Sequence, residues 1–373
     1  MMYLRKLGLL VTLCLLAALA LVACGETATP ATSGTTAAAA QPTSGAAVTG
    51  GAASGKTLKV GLVTDIGQLN DKSFNAAAWA GVQQAGKDLG ATTKAIETKA
   101  TSDYAKNISQ FLDDKYDVIV TVGFLMQDAT LAAAKANPTV KFIGVDQGYA
   151  ETPANLAGLV FEEDKSGFLA GVLAAGISKS HKIAGILGTK SVPAVARFGE
   201  GYKAGAAYLD KTFPDMVGKQ TTDAKLVYHA DGDTAFSDPA WGAEQAKSLI
   251  QSGYDVIFGA GGKTGNGAIE GAADQGAFVI GVDDDQYVTL ASEDPKIAGK
   301  ILSSAQKLIQ PGVFKIIQTV QAGTFKGGVN VGPVALAPFH DSDGMVPQAL
   351  KDTLTKIKTG LDDGSIKTGV TIK

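Results

Sequence analysis

Arginine is almost absent from this chain: of 33 basic side chains in 373 residues, only Arg5 and Arg197 are arginines. Nucleic-acid binders need basic stripes and phosphate readers favour guanidinium forks, so both readings start weak. Histidine is nearly as scarce, and His181, His229 and His340 lie far apart without metal-type spacing. The two cysteines are Cys14 and Cys24, both near the N-terminus, so neither a thiolate zinc site nor a disulfide framework is available to the body of the chain. No Gly-x-Ser-x-Gly elbow occurs to anchor a hydrolase triad. The glycine-rich run "GGKTGNG" (261–267) fails as a phosphate loop, because the earlier glycine that such a motif requires falls on Ile257. Three successive aspartates, Asp283, Asp284 and Asp285, lack the remaining ligands of a calcium loop and read as cleft or surface carboxylates. No cofactor and no metal are expected.

What is present begins with an address. Arg5 and Lys6 precede an apolar run, Leu7 to Ala20, that is shorter than the roughly 20 residues of a membrane span, so residues 1–23 read as an export signal. "LVAC" (21–24) resembles a bacterial lipobox, which implies cleavage before Cys24 and acylation of its thiol. From Gly25 to Gly55 only Glu26, Gln41 and Val48 are not Ala, Gly, Ser, Thr or Pro. Such a segment cannot bury a core and is expected to act as a tether spanning roughly 30 Å. Loss of the signal leaves 31 basic against 36 acidic side chains. The expectation is a lipid-anchored, acidic, monomeric body on the extracytoplasmic face of a membrane.

The body, residues 56–373, alternates strand and helix. Apolar runs at 58–63, 117–122, 140–145, 182–187, 225–230, 255–260 and 277–282 predict buried strands. Helices are expected at about 73–89, 126–136 and 346–358. Alternation of this kind predicts an α/β fold of parallel sheets with helices on both faces. A repeat adds to this. "YDVIVTVGF" (116–124) matches "YDVIFGAGG" (254–262), and "IGVDQ" (143–147) matches "IGVDDDQ" (280–286) at nearly equal spacing. Two Rossmann-like lobes are therefore expected, lobe 1 over about 56–165 and lobe 2 over about 180–300. A crossover and closing segment, 301–373, would complete a hinge. Paired open sheets place a ligand cleft at their carboxyl strand ends.

The stretch "TDIGQLNDKSFNAAAWAG" (64–81) puts a carboxylate, Asp65, and a phenyl ring, Phe74, side by side where a strand hands over to a helix. Neither a core nor a solvent loop suits both, so both are expected to face a ligand. Phe124, Phe198 and Phe236 occupy similar junctions, and Phe236 lies in the polar loop "DTAFSDPAW" of the other lobe. A planar ring between two such phenyls gains roughly 1–3 kcal/mol per face. Carboxylates at strand ends suit hydroxyl and amino donors, at about 1.5–3 kcal/mol per charge-assisted bond. A flat ring carrying a polyol describes a nucleoside without phosphate.

"TDIGQLNDKSFNAAAWAGV", "ARFGEGYKAG", "IGVDDDQ" and the terminal "LDDGSIKTGVTIK" resemble the basic membrane protein family. These are substrate-binding lipoproteins of ABC importers with a type I periplasmic-binding-protein fold, and several bind purine nucleosides. The resemblance implies that Asp65 bonds the base and that Phe74 and Phe236 sandwich it. It further implies that Asp283 or Asp285 holds the ribose hydroxyls beside Lys307, and that Met126, Gly261 and Gly262 line the pocket. Membrane permease subunits would be the partners. Two rival readings remain at this point: a ligand-sensing lipoprotein for another ribosyl or sugar-like ligand, and a nucleoside-cleaving enzyme using the aspartates at 283–285.

Overall fold

A computed structural model describes residues 57–372. The expected export signal, Cys24 and the linker lie outside the described residues.

The first half of the chain builds one sheet from β1 (Lys59–Val63), β2 (Thr92–Ile96), β3 (Val118–Val122), β4 (Lys141–Val145) and β5 (Leu156–Phe161). Helices α1 (Phe74–Leu89), α2 (Tyr104–Asp113) and α3 (Gln127–Ala136) connect them. The chain then crosses through α4 (Glu163–Ile177) to a second sheet of β6 (Lys182–Thr189), β7 (Asp223–His229), β8 (Val256–Ala260), β9 (Phe278–Asp283) and β10 (Ile301–Lys307). Its connections are α5 (Pro193–Thr212), α6 (Pro239–Gln251), α7 (Gly262–Asp274) and the short α8 (Gln286–Thr289). Helix α9 (Ile309–Gln321) returns to the first lobe and leads into β11 (Gly328–Gly332). Across Pro333 the chain enters β12 (Val334–Leu336) of the second sheet, and α10 (Gln348–Asp363) closes the fold.

The sheets run β2-β1-β3-β4-β5-β11 and β7-β6-β8-β9-β10-β12, the same order twice. Every pairing is parallel except β10 with β12. Central strands such as β3 and β8 are buried along their whole length, which is why they appear in the sequence as unbroken apolar runs. Helix α1 buries Ala77, Ala78, Gly81, Val82 and Ala85 on one face and ends on Gly90 in the left-handed region. Helix α4 lies in the second lobe's core beside α5. There the backbones meet so closely that a Cβ on Gly171 would stand 1.9 Å from the Tyr202 carbonyl.

The structure extends the expected strand set. Ile301–Lys307, expected within the crossover segment, is a strand of the second sheet, paired with β9. Its polar sequence, ILSSAQK, conceals it: buried Ser303 donates to the Ala337 carbonyl at 2.7 Å, and Ser304 accepts from the Gln286 amide at 3.0 Å. Three passages join the lobes, β5 to α4, β10 to α9, and β11 to β12.

Candidate functional site

The two sheets turn their carboxyl ends toward a shared cavity, the place where open α/β sheets bind small molecules. Its apolar walls include Phe74 and Phe124 from the first lobe and Phe198 and Phe236 from the second. Its polar groups are Asp65, Asp71, Asn75, Asp146, Asp283 and a single cation, Lys307.

Asp65, Asp146, Asp283 and Lys307 lie at the carboxyl ends of β1, β4, β9 and β10, while Asp71 and Asn75 belong to the loop before α1 and its first turn. Asp65 follows β1; its Oδ1 accepts from the Gly67 amide at 2.8 Å and Asn75 Nδ2 at 3.3 Å. Burial pushes its carboxyl up to about 7, against the lowering effect of those two bonds. Gly123, at the end of β3 with φ 107°, faces it; a Cβ there would stand 2.4 Å from Asp65 Oδ2. Asp71 caps α1, accepting from the amides of Ser73, Asn75 and Ala76 at 2.9–3.0 Å. Burial raises it to about 6.

Asp146 and Asp283 occupy equivalent places at the ends of β4 and β9, both with left-handed backbone, φ 58° and 64°. That conformation costs a non-glycine residue energy and turns both carboxylates toward the middle of the cleft. Lys307, at the end of β10 and 3% exposed, lies between them, 2.6 Å from Asp146 and 3.3 Å from Asp283. Glu163, the first residue of α4, stands 3.9 Å from the same ammonium and accepts from Arg197 Nε at 2.6 Å. Burial raises the Glu163 carboxyl to about 7. Burial opposes the charged form of Lys307, but the surrounding carboxylates prevail and hold its pKa above the usual lysine value. The ammonium also lies 4.4 Å from the centre of the Phe74 ring.

The lobes are latched by the loop before α1. Ser73 Oγ donates to Asp283 Oδ2 at 2.9 Å, and Asn266 Nδ2 donates to the Asp71 carbonyl at 2.7 Å. The Lys72 carbonyl accepts from Thr289 Oγ1 at 2.8 Å and Gln286 Nε2 at 3.3 Å, while the Lys72 ammonium pairs with Glu293.

Of the residues expected at the site, Asp65, Phe74, Phe236, Gly261, Gly262, Asp283 and Lys307 line the cavity. Met126 does not. It is fully buried in the first lobe's core with Tyr104, Phe142 and Leu156, because a 3₁₀ turn over Phe124–Met126 sends Phe124 and Leu125 to the cavity instead. Asp285 is also elsewhere: it immediately precedes α8 and bonds His340 Nε2 at 2.7 Å, with the imidazole stacked on Tyr287. The ambiguity between Asp283 and Asp285 is thereby resolved geometrically in favour of Asp283 as the cavity carboxylate. Asp71, Asn75 and Asp146 were not anticipated. The repeat carried a signal for Asp146, since it is the counterpart of Asp283 in the matched "IGVD" words.

Asn75 Oδ1 and Asp146 Oδ1 are buried without a hydrogen-bond partner, and Asp283 Oδ1 has only the Lys307 ammonium at 3.3 Å. An unpaired buried acceptor costs about 1–3 kcal/mol, so the cavity is built for a guest rich in donors. Its carboxylates disfavour an anionic guest, and its aromatic walls favour a flat one.

Comparison with known proteins agrees with this architecture. Residues 58–332 match the family described as "ABC transporter substrate-binding protein PnrA-like". The "ABC transporter nucleoside-binding protein BmpA" of Lactococcus lactis is 32% identical, covering 84% of this chain and 90% of that protein. "Basic membrane protein A1" of Borrelia garinii is 29% identical over 81% and 85% of the two chains. An uncharacterized lipoprotein of Pyrococcus horikoshii is 30% identical over 74% of this chain and 66% of its own length. A solved solute-binding protein of an ABC transporter system from Aeropyrum pernix superposes with a TM-score of 0.74 at 22% identity, covering 83% of this chain and 92% of that one. The fold is thus that of the bilobed periplasmic binding proteins. The chain belongs to the PnrA-like, or Bmp, family of ABC transporter substrate-binding proteins.

Proposed function

We propose that this protein is the lipid-anchored, extracytoplasmic receptor of an ABC importer for purine nucleosides. The observation that carries the reading is the cavity's division of labour. Phe74 and Phe236 reach it from opposite lobes, while Asp146 and Asp283 flank Lys307, Asp146 with one oxygen unpaired. Phenyl walls suit the faces of a purine, and paired carboxylates with an ammonium suit a ribose diol, which both donates and accepts. In this reading Asp65 and Asn75 meet the edge of the base, and Asp283 with Lys307 holds the sugar. Gly261 and Gly262 let the backbone approach. The nucleoside-binding relative from Lactococcus lactis supports the ligand class.

Cys24 would carry the lipid and residues 25–55 the tether. The lipoprotein naming of the Pyrococcus relative supports that anchor. Among the described residues no helix is long and apolar enough to cross a membrane. Lobe closure by the 70–73 loop would then present a closed receptor to the permease. The role requires no bond to be broken, so the ligand is expected to leave unchanged.

The test is calorimetric titration of the ligand-free body with inosine, adenosine, guanosine, uridine, free purines, ribose, sugars and amino acids, followed by chromatography of the recovered ligand. Purine nucleosides are expected at micromolar affinity or tighter, about −8 kcal/mol or beyond, and intact after release. Tight binding of a sugar or amino acid without nucleoside binding overturns the ligand assignment. Recovery of free base and ribose overturns the non-enzymatic one.

A further inference from the structure

We propose that Ser73 is a positioning residue for sugar recognition: its hydroxyl, arriving from the first lobe on closure, fixes the Asp283 carboxylate in the orientation that grips a ribose hydroxyl. The inference rests on the nucleoside reading above and adds the residue that makes sugar recognition depend on closure.

Ser73 is not among the residues that line the cavity. It is fully buried, and its backbone is held within its own lobe. The amide donates to Asp71 Oδ1 at 3.0 Å and the carbonyl accepts from the Ala77 amide at 2.9 Å. Only its side chain crosses to the second lobe. Oγ stands 2.9 Å from Asp283 Oδ2 and 3.2 Å from the Val282 carbonyl. A hydroxyl has one proton to give, and the shorter contact, to a carboxylate, takes it.

Asp283 needs such an anchor. The last torsion of an aspartate is broad rather than staggered, so a carboxylate held at one oxygen swings through a wide arc. Here both oxygens are engaged, Oδ2 by Ser73 and Oδ1 by the Lys307 ammonium at 3.3 Å. Two points fix the plane, and the lone pairs left over then face set directions that a guest hydroxyl must match. The two anchors respond differently to lobe motion. Lys307 ends β10, which pairs with β9 in the sheet that carries Asp283, so it travels with Asp283 whether the lobes are open or closed. Ser73 belongs to the other lobe and reaches Asp283 only when the cleft shuts.

The repeat shows the same arrangement in reverse. Asp146 holds the equivalent place in the first lobe, with the same left-handed backbone, and its anchor, Lys307 Nζ at 2.6 Å, comes from the second. Each cavity carboxylate is thus completed by a donor from across the cleft, and neither is set for its guest until the lobes meet. Affinity gained at the sugar therefore favours the closed form over the open one.

The experiment is calorimetric titration of the body, residues 54–373, which form one compact unit, with inosine and with 2′,3′-dideoxyinosine. The ratio of the two affinities reads the sugar hydroxyls, because both ligands carry the same base. A serine that only held the lobes together would weaken both ligands by one factor and leave the ratio untouched. In the wild type the ratio is expected to favour inosine about 10- to 150-fold. Ser73→Ala should lower that ratio about 3- to 10-fold. In an Asp283→Asn background the same substitution should leave the ratio where Asp283→Asn alone puts it, because Ser73 acts on the sugar only through that carboxylate. An unchanged ratio in Ser73→Ala, whatever the absolute affinities, or a further fall in the Asp283→Asn background, overturns the positioning role and leaves the nucleoside reading intact. A wild-type ratio near one removes the grip of Asp283 on the sugar, and this inference with it. Failure of both ligands to bind overturns the nucleoside reading itself.

Discussion

Replacing Lys307 with methionine removes the one charge on which the cleft converges while keeping a side chain of similar length. Lys307 is 3% exposed and neutralises Asp146 at 2.6 Å and Asp283 at 3.3 Å; Glu163 keeps Arg197 as its own partner. Removing one member of a buried ion pair costs about 3–5 kcal/mol, because the charge left behind is neither hydrated nor compensated. In a body of this size that corresponds to a fall in Tm of about 5–8 °C. The loss should depend on pH with a definite sign. Lys307 lowers the pKa of Asp146, so its removal raises that pKa further above the unfolded value. The folded state then holds a proton that the unfolded chain has released, and stability declines as pH rises. Melts of wild type and Lys307→Met at pH 5 and pH 8 should therefore show a small deficit at pH 5 and the full one at pH 8. An equal deficit at both pH values, or one below about 1 kcal/mol, would refute the reasoning that Lys307 compensates these carboxylates.

The wild type carries a weaker form of the same effect. Asp65, Asp71 and Glu163 titrate at about 7, 6 and 7 in the folded state, above their unfolded values, so its Tm should fall between about pH 4 and pH 7; a Tm rising across that window counts against their burial. Asp283→Asn should weaken ribonucleoside binding about 10- to 150-fold while Asp285→Asn leaves it unchanged; calorimetry showing equal losses would mean that Asp285 also serves the cavity. Phe74→Ala and Phe236→Ala should each cost about 5- to 150-fold in purine nucleoside affinity, and unchanged affinity in both would remove the sandwich. Asn266→Ala deletes the bond to the Asp71 carbonyl and the bond received from Gln286, so ligand release measured by stopped flow should accelerate about 3- to 15-fold; an unchanged rate would separate the latch from closure.

Legibility in the sequence followed burial. Strands buried on both faces, such as Val118–Val122 and Val256–Ala260, are apolar throughout and were visible at once. Edge strand Thr92–Ile96 is partly exposed, and its TTKAI sequence resembles a linker. Strand Ile301–Lys307 was hidden for the opposite reason, since its serines are buried but satisfied by hydrogen bonds to neighbouring segments. At the site, the loop from Asp65 to Phe74 stood out because its composition suits neither core nor solvent. Met126 is not placed by the sequence, because an apolar residue at a helix start gives no indication of which side of a 3₁₀ turn it will occupy. The sequence does not separate Asp285 from Asp283, because residues two apart in an irregular turn carry no periodicity to distinguish them.

A twofold-repeated α/β chain with an unusual polar and aromatic loop after its first strand is readable from the order of residues, because strand and helix periodicities are local. Which charges meet is settled in three dimensions alone. Asp146 and Lys307 are 161 residues apart, and the left-handed turns at Asp146 and Asp283 aim two carboxylates from two lobes at one ammonium. That convergence depends on backbone angles at strand ends and on lobe closure, neither of which is written in residue spacing.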